Sequence, residues 1–382
     1  MTASSPVRRA ALAIFRLTPA GGLEQHCLRL AEALAARGWA VTLVTTRPPA
    51  GALPAGLELE LIAQRGRTNH GRLAAFAADA ARALAGRFER TVVFHAVPGF
   101  DVIFCADPSR AAPGPLRRWL PRYAAYARLE RAAFGPGPGL ALMLSSAQRE
   151  GFLRNTGAAP ERLALLPPTV DRRRVGTEPA QPRAEARQAL GLAAEDSVWL
   201  WIGLQPRTKG LDRAMRALAA APGAQLLVLG LDPASRGGRS MRQLAARLGV
   251  AGRVGWLGFA SDAGVRQALA AADLLVHPSR ADVTGTVILE ALAAGVPVIT
   301  TAVCGYGEHV ARAEAGIVLP EPFRHADLAA ALAAATPDAR RLWSANALAY
   351  ARRDELYSGI ERAADLIATG SAAAAPPGPA RG

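Results

Sequence analysis

The sequence alternates short apolar runs with Ala/Leu/Arg-rich segments of helical period, and this rhythm constrains the fold more than any other feature. The runs occupy residues 12–15, 40–46, 91–96, 101–107 and 140–146, then 197–203, 224–230, 254–259, 274–279, 296–301 and 316–320. Strands and helices in alternation form parallel sheets with helices on both faces. The pattern therefore predicts an α/β protein with two doubly wound, Rossmann-like domains.

The chain length of 382 residues suits two domains of ordinary size. Residues 171–195 are rich in Arg, Glu, Pro and Ala without an apolar period, which is typical of an interdomain connection. Ligands of such sheets bind at the carboxyl ends of the strands, so we expect the two domains to face a cleft. The predicted parts are an N-terminal domain, the connection, a C-terminal domain, a return helix and a disordered tail, at 1–170, 171–195, 196–350, 351–368 and 369–382.

The net charge of +14 indicates an anionic partner, which could be nucleic acid, a negatively charged membrane surface or a phosphorylated substrate. We expect no nucleic-acid partner, because no recognised binding motif accompanies the charge. The three cysteines are too few and too scattered for a disulfide framework or a zinc cluster. The apolar run near the N-terminus is too short for a signal peptide or a membrane span, so we expect a cytoplasmic protein.

A glycine pair, Gly21 and Gly22, follows the first predicted strand and opens a helix. Glycines let backbone amides approach a ligand closely, and a helix N-terminus attracts an anion. The same pair also serves as an ordinary turn, so the motif alone leaves both interpretations open.

The stretch HPSRADVTGTVILEALAAG is more informative. A strand ends at the histidine, a loop of small residues carries Asp282, Thr284 and Gly285, and a helix begins near Thr286. Glu290 lies among apolar residues of that helix, where a carboxylate needs a hydrogen-bonding partner, and a ribose diol is a suitable one. Alternatives are a solvated glutamate and an ordinary capping loop, which the apolar neighbours do not favour.

Lys209 is the only lysine in the sequence, among basic residues that are otherwise all arginine. It follows the strand at 197–203 and precedes a helix, so it should lie at the carboxyl end of that strand, near Arg207. A diphosphate leaving group gains negative charge in the transition state, where fixed cations are most effective. A coding bias toward arginine is the alternative explanation of the composition.

At these residues the sequence resembles retaining GT-B glycosyltransferases with a Glu-x7-Glu motif, glycosyltransferase family 4. Within that family it is similar to the enzymes that transfer glucose from UDP-glucose to a heptose of the lipopolysaccharide inner core. The resemblance covers nearly the whole chain and includes GGLEQHCLRLAEALAARG, RTNHGR, PGFDVIFCAD, KGLDRAMRAL and TTAVCGY. It implies a GT-B fold whose C-terminal helix crosses back to the N-terminal domain, which binds the acceptor, while the C-terminal domain binds the nucleotide sugar.

The resemblance also implies roles for individual residues. Lys209 would hold the donor phosphates, Glu290 the ribose and Asp282 the hydroxyls of the transferred sugar. The remaining donor-side residues would be Gly21, Gly22, Arg174, Arg207, Thr284, Gly285 and Thr286. On the acceptor side it places Asn69, His70, His95 and Asp101. The sequence departs from the family pattern at Asp282, which replaces a glutamate, at Thr208, which replaces an arginine, and at His95.

The activity implied is hexosyl transfer from a UDP-sugar to a lipid-linked core oligosaccharide, with retention and without a metal or other cofactor. No Asp-x-Asp metal motif is present, and Arg207 and Lys209 can replace a divalent ion electrostatically. Alternatives are a transferase with another donor or glycolipid acceptor, a UDP-sugar epimerase or hydrolase, and a non-enzymatic membrane or nucleic-acid binding module with a degenerate fold.

Residues 110–134 concentrate arginines and aromatic residues in one amphipathic segment. Such a segment can lie on an anionic membrane, which fits a lipid-linked acceptor. The residues predicted to face the membrane are Arg117, Arg118, Trp119, Arg122 and Tyr123, which would attach the protein to the cytoplasmic face of the inner membrane. The alternative is a solvated basic helix packed by its tyrosines.

Overall fold

The computed structural model describes residues 7–17, 22–49, 51–112, 119–135, 139–175 and 182–370. These residues form two compact units. The first contains the described residues up to Thr169 and those from Ser358 onward, and the second is Val170–Tyr357. Gly21, Arg117 and Arg118, as well as the predicted tail beyond residue 370, lie outside the described residues.

The first unit contains a seven-stranded parallel sheet in the order β3-β2-β1-β4-β5-β6-β7. Its elements are β1 (Arg9–Ala13), α1 (Gly22–Ala36), β2 (Ala40–Thr45), β3 (Leu57–Leu61), α2 (Asn69–Leu84), β4 (Arg90–Val93), β5 (Val102–Cys105), α3 (Pro121–Phe134), β6 (Leu140–Met143), α4 (Ser146–Thr156) and β7 (Leu163–Leu165).

The second unit contains a six-stranded parallel sheet in the order β10-β9-β8-β11-β12-β13. Its elements are α5 (Arg172–Val175), α6 (Arg183–Ala189), β8 (Ser197–Ile202), α7 (Leu211–Ala219), β9 (Ala224–Leu229), α8 (Arg236–Arg247), β10 (Val254–Gly258), α9 (Asp262–Ala271), β11 (Leu274–His277), α10 (Thr286–Ala293), β12 (Val298–Thr301), α11 (Gly307–Ala313), β13 (Gly316–Leu319), α12 (His325–Ala334) and α13 (Pro337–Ala351).

The last helix, α14 (Gly359–Thr369), belongs to the first unit, where it packs against α1. Arg37, just after α1, forms ion pairs with Glu361 and Asp365 of this helix. Residues 171–175 and 182–195, expected to connect two domains, belong to the second unit, where α6 packs on α9. Buried Arg187 of α6 donates to Ala271 O, which explains how a segment without an apolar period packs there.

Strand β8 shows why the apolar runs predict buried parallel strands. Val198, Leu200 and Ile202 lie in the core on one face of the sheet, whereas Trp199 and Trp201 lie in the core on the other. A strand covered by helices on both faces needs apolar residues at every position. Each predicted run overlaps an observed strand, and the two-domain α/β prediction is confirmed.

The predicted apolar runs do not include β3 and β7, which are the two edge strands of the first sheet. Strand β3 reads LELEL and is largely exposed, and β7 is three residues long. Edge strands are short and carry charges on their open side, so their sequences lack a continuous apolar run.

Both sheets reverse their strand order beside their first strand. In the second sheet β8 lies between β9 and β11, and in the first β1 lies between β2 and β4. At such a switch point the loops after the two neighbouring strands diverge and leave room for a ligand. The loops after β8 and β11, and those after β1 and β4, are therefore the places to look for functional side chains.

Candidate functional site

The loop after β8 carries Lys209 and is fixed to the loop after β11 by close backbone packing. The indole Nε1 of Trp201 donates to Lys209 O over 2.9 Å. Gly210 has φ +75°, and a Cβ atom there would lie 2.0 Å from Pro278 O. Only glycine permits this approach, which brings the two loops of the switch point together.

Lys209 and Asp282 form an ion pair across the switch point. Lys209 Nζ lies 2.7 Å from Asp282 Oδ2, and a quarter of the Lys209 side chain is exposed. Asp282 Oδ2 also lies 2.9 Å from His277 Nε2, and Asp282 Oδ1 accepts from Gly285 N over 3.0 Å. The carboxylate is thus held from three directions.

Burial alone would raise the pKa of Asp282, but the hydrogen bond from His277 and the charges of His277 and Lys209 outweigh it. Together they lower the pKa to about 2. Asp282 is therefore an anion at neutral pH, with the ammonium of the partly exposed Lys209 beside it.

The start of α10 lies directly beyond Asp282. Gly285 adopts φ +73° immediately before the helix, and the Thr284 and Thr286 hydroxyl oxygens are 3.4 Å apart. Tyr306 N donates to Thr284 O over 2.7 Å, which ties this loop to the loop after β12. The N-terminus of α10 therefore lies beside Asp282, the residue that pairs with Lys209.

Glu290 is 3% exposed and is paired with Arg174. Arg174 Nε donates to Glu290 Oε1 over 2.7 Å, and Arg174 Nη1 lies 3.2 Å from Asp262 Oδ1. Burial would lower the pKa of Arg174, but Glu290 and Asp262 raise it. The sequence singled out both Arg174 and Glu290 but gave no sign that they meet, since they are 116 positions apart.

Arg207 is exposed, and its backbone is held by Arg280. Arg280 Nη1 donates to Arg207 O over 2.5 Å, and the Arg280 guanidinium forms two hydrogen bonds with the carboxylate of Asp212. Arg280 was not among the predicted residues, although it stands inside the HPSRAD stretch. Its hydrogen bond to Arg207 O helps to fix the loop that carries Arg207 and Lys209.

His277, Asp282 and Cys304 each offer one ligand atom, and these atoms lie within 4.8 Å of one another. Such a set suits Zn²⁺ in principle. The Asp282 oxygen, however, already accepts from Lys209, and burial together with the Asp282 charge raises the pKa of the Cys304 thiol. A metal would have to displace the ammonium and deprotonate a thiol that resists ionisation, so this donor set fits a metal poorly.

In the first unit, the predicted residues gather at the carboxyl edge of the sheet with one exception. Gly22 begins α1, and Asn69 and His70 begin α2. His95 follows β4, and its Nε2 accepts from Phe15 N after β1 over 3.0 Å. Burial lowers the pKa of His95 to about 4, so the ring is neutral at pH 7 and carries its proton on Nδ1.

The exception is Asp101, which the structure separates from the other predicted acceptor-side residues. It precedes β5, at the amino edge of the sheet, and its Oδ2 accepts from Thr91 N and Thr91 Oγ1 of β4, each over 2.8 Å. The resemblance alone placed Asp101 on the acceptor side, and because Asp101 precedes its strand it stands at the opposite edge of the sheet from Asn69, His70 and His95. Asp107, directly after β5, lies at the carboxyl edge and pairs with Arg110 over 3.0 Å.

Helix α3 presents a basic, aromatic surface. Trp119, just before the helix, is 77% exposed, and Arg122 lies 4.9 Å from the centre of the Tyr123 ring. Arg128 and Arg131 are also exposed, whereas Ala127, Glu130 and Phe134 are buried. Among the described residues, no helix is both long and apolar enough to cross a bilayer.

Two family models match the chain, one in each half. The model described as Glycosyltransferase Family 4 matches residues 20–174, and that described as Glycosyl transferases group 1 matches residues 182–350. The lipopolysaccharide glucosyltransferase WaaG of Escherichia coli (strain K12) is 36% identical over 375 residues, which cover 94% of this chain and 98% of that protein. The D-inositol 3-phosphate glycosyltransferase of Mycobacterium marinum is 37% identical over 153 residues, 39% of this chain and 32% of that protein.

Solved structures show the same fold. The crystal structure of WaaG superposes with a TM-score of 0.86 at 35% identity and covers 94% of this chain and 99% of that one. The structure of Anabaena Alr3699/HepE in complex with UDP-glucose superposes with a TM-score of 0.70 at 20% identity, covering 94% and 99%. The first likeness extends over both units of the chain, and the second concerns the fold alone.

Proposed function

The chain belongs to the family 4 glycosyltransferases of GT-B fold, and from that membership we propose that it is a glucosyltransferase of lipopolysaccharide core assembly. Its donor would be UDP-glucose and its acceptor a heptose of the inner core. The observation that carries the proposal is the pairing of Lys209 with Asp282 at the start of α10, the helix that also carries the buried Glu290. WaaG, the relative that the chain matches over nearly its whole length, is a lipopolysaccharide glucosyltransferase.

On this proposal, the nucleotide part of the donor binds to the second unit through the cations Lys209 and Arg207 and the ion pair of Glu290 with Arg174. Lys209 and Arg207 bind the diphosphate, since Arg207 is an exposed cation and Lys209 a partly exposed one at the carboxyl edge of β8. Glu290 accepts hydrogen bonds from the ribose diol, for which a buried carboxylate is well suited. Arg174 holds the Glu290 carboxylate and reaches the donor from the same side.

The transferred sugar would be bound by Asp282, Thr284, Gly285 and Thr286. Asp282 is one methylene shorter than the glutamate of the family motif, and its carboxylate lies against Lys209. We therefore assign it a double role, toward the sugar hydroxyls and toward the ammonium that binds the phosphate.

The chemical step that we propose is retaining transfer by front-face attack. The bond between the anomeric carbon and the β-phosphate oxygen breaks, and the acceptor oxygen bonds to the anomeric carbon from the same face. The acceptor proton passes to the departing phosphate oxygen. Lys209 stabilises the charge that develops on the diphosphate, and this needs no metal ion.

The acceptor side would lie on the first unit, at Asn69, His70 and His95, and Gly22 of the same unit would approach the donor. The neutral His95 ring carries its proton on Nδ1 and can donate to a sugar hydroxyl. Helix α3 would lie on an anionic membrane, because its exposed arginines and Trp119 suit a lipid headgroup region. The protein would then work as a peripheral enzyme on the cytoplasmic face of the inner membrane.

The test is a product assay with purified protein, a panel of UDP-hexoses and truncated core acceptors. We expect transfer from UDP-glucose to an acceptor that ends in heptose, with retained configuration by NMR and undiminished rate in EDTA. UDP release that does not depend on acceptor would identify a hydrolase, and interconversion of the UDP-sugars an epimerase. Either product would contradict the proposal.

A further inference from the structure

His277 is buried at the end of β11 and makes its polar contacts inside the candidate site. It is 1% exposed, with Nε2 at 2.9 Å from Asp282 Oδ2 and 3.0 Å from Ser279 Oγ. The strand position and the loop after it therefore direct the imidazole at the carboxylate that pairs with Lys209.

The contact between His277 and Asp282 shows which ring nitrogen donates. Asp282 is an anion and only accepts, so the proton must be on His277 Nε2. Nδ1 is buried and has no hydrogen-bond partner among the described residues. The contact that His277 makes with Asp282 is therefore made through Nε2 alone. Lys209 pairs with the Asp282 carboxylate, and His277 adds a directed hydrogen bond to the same oxygen.

We propose that His277 is a positioning residue for the donor site: its Nε2–H holds the Asp282 carboxylate where that carboxylate fixes the Lys209 ammonium. Without this donor, Asp282 Oδ2 is bound only by a flexible four-carbon side chain that is a quarter exposed. The inference rests on the proposed role of Lys209 toward the donor diphosphate.

The substitutions that test this are chosen by atom position. In His277→Gln the amide nitrogen takes the place of Nε2 and keeps a donor toward Asp282. In His277→Asn the amide stops at the level of Nδ1, and in His277→Leu no donor remains. His309→Leu is the matched control, because His309 is also buried in the second unit and hydrogen-bonded, to Tyr350.

The first measurement is kinetic. We expect the Leu and Asn variants to lose roughly tenfold or more in kcat, the scale of a hydrogen bond to a charged group, with a much smaller change in donor KM. The Gln variant and His309→Leu should keep most of kcat. The groups that face Asp282 are His277, Lys209 and Cys304, and loss of the His277 donor raises the Asp282 pKa. The acid limb of the pH–rate profile should therefore move to higher pH in the Leu and Asn variants only.

The second measurement needs no substrate. Because Lys209 is the only lysine, protein made with isotope-labelled lysine gives one side-chain NMR signal. We expect a slowly exchanging ammonium signal in the wild type and in His277→Gln, and roughly tenfold faster proton exchange in the Asn and Leu variants. Equal signals and equal kcat in the Gln and Asn variants would overturn the inference, even if the Leu variant fails to fold. A wild type without transferase activity whose Lys209 signal still depends on His277 would reject the proposed function while supporting the hold of His277 on Asp282.

Discussion

Arg174 donates to Glu290 over 2.7 Å, so the carboxylate proposed to bind ribose is already held by a guanidinium. A diol must therefore use the lone pairs of Glu290 that face away from Arg174, or exchange with it. In either case the affinity for a ribose depends on the charge of Glu290.

We expect Glu290→Gln to weaken UDP binding by about tenfold to a hundredfold, since a hydrogen bond to a charged group is lost. Isothermal titration with UDP and 2′-deoxy-UDP is the measurement. The wild type should prefer UDP, and the variant should bind both alike. Glu308→Gln, at an exposed ion pair with Arg312, is the control and should match the wild type. Retained discrimination in Glu290→Gln would assign the ribose to another group.

Lys209→Ala should fold normally and lose roughly a hundredfold or more in kcat, because a fixed cation at the leaving group is removed. Lys209→Arg should have a kcat between those of Lys209→Ala and the wild type, since a planar guanidinium differs from a compact ammonium in reach and hydration. Steady-state kinetics measures kcat for the two variants, and circular dichroism shows whether they fold. Arg247→Ala, at the exposed end of α8, is the control. Wild-type turnover in Lys209→Ala would remove its assigned role.

The pH dependence of stability should report Asp282. Its pKa in the folded protein is about 2, below the ordinary value of 3.8, so its stabilising contribution is complete above about pH 5 and is lost as the pH falls toward 2. This difference corresponds to about 2 kcal/mol. Asp282→Asn should therefore lower Tm at pH 7 and approach the wild type near pH 2. A difference in Tm that stays constant with pH would contradict the low pKa.

Gly210→Ala should destabilise the protein strongly, because its Cβ would meet Pro278 O at 2.0 Å in addition to the strain of a positive φ. We expect a loss above about 3 kcal/mol or a failure to fold. The control is Gly249→Ala, at φ +68° with no atom within 4 Å of the added Cβ, which should cost only about 1 kcal/mol. Urea unfolding measures both. Similar losses would show that the two loops of the switch point separate easily.

The proposed binding of α3 to an anionic membrane is tested by flotation of the protein with anionic and with neutral vesicles. Reversing the charges of Arg122 and Arg128 should weaken binding to anionic vesicles by roughly thirtyfold or more at low salt, because each arginine removed costs about 1 kcal/mol. Reversing Arg242 and Arg247 of α8, both exposed, gives the same net charge and should leave binding nearly unchanged. Equal losses in both double variants would indicate a response to total charge.

The structure confirms most of what the sequence predicts about local architecture. Strands such as β8 are apolar at every position because both faces are buried, and this is visible in the sequence. The edge strand β3 was missed because half of its surface is solvated and its sequence alternates with glutamate. The edge of the sheet at which Asp101 stands is also readable in the sequence, because Asp101 precedes the apolar run of β5.

The sequence by itself determined the two parallel sheets, the loops that follow β8 and β11, and the residue types available there. Only the tertiary structure decided which of these residues meet, because the strand order brings β11 beside β8 although two strands separate them along the chain. The pairs Lys209–Asp282 and Arg174–Glu290 follow from that order. The role of His277 also depends on the tertiary structure. In the sequence a lone histidine at a strand end is typical of a core residue, and only the fold places the Asp282 carboxylate beside it.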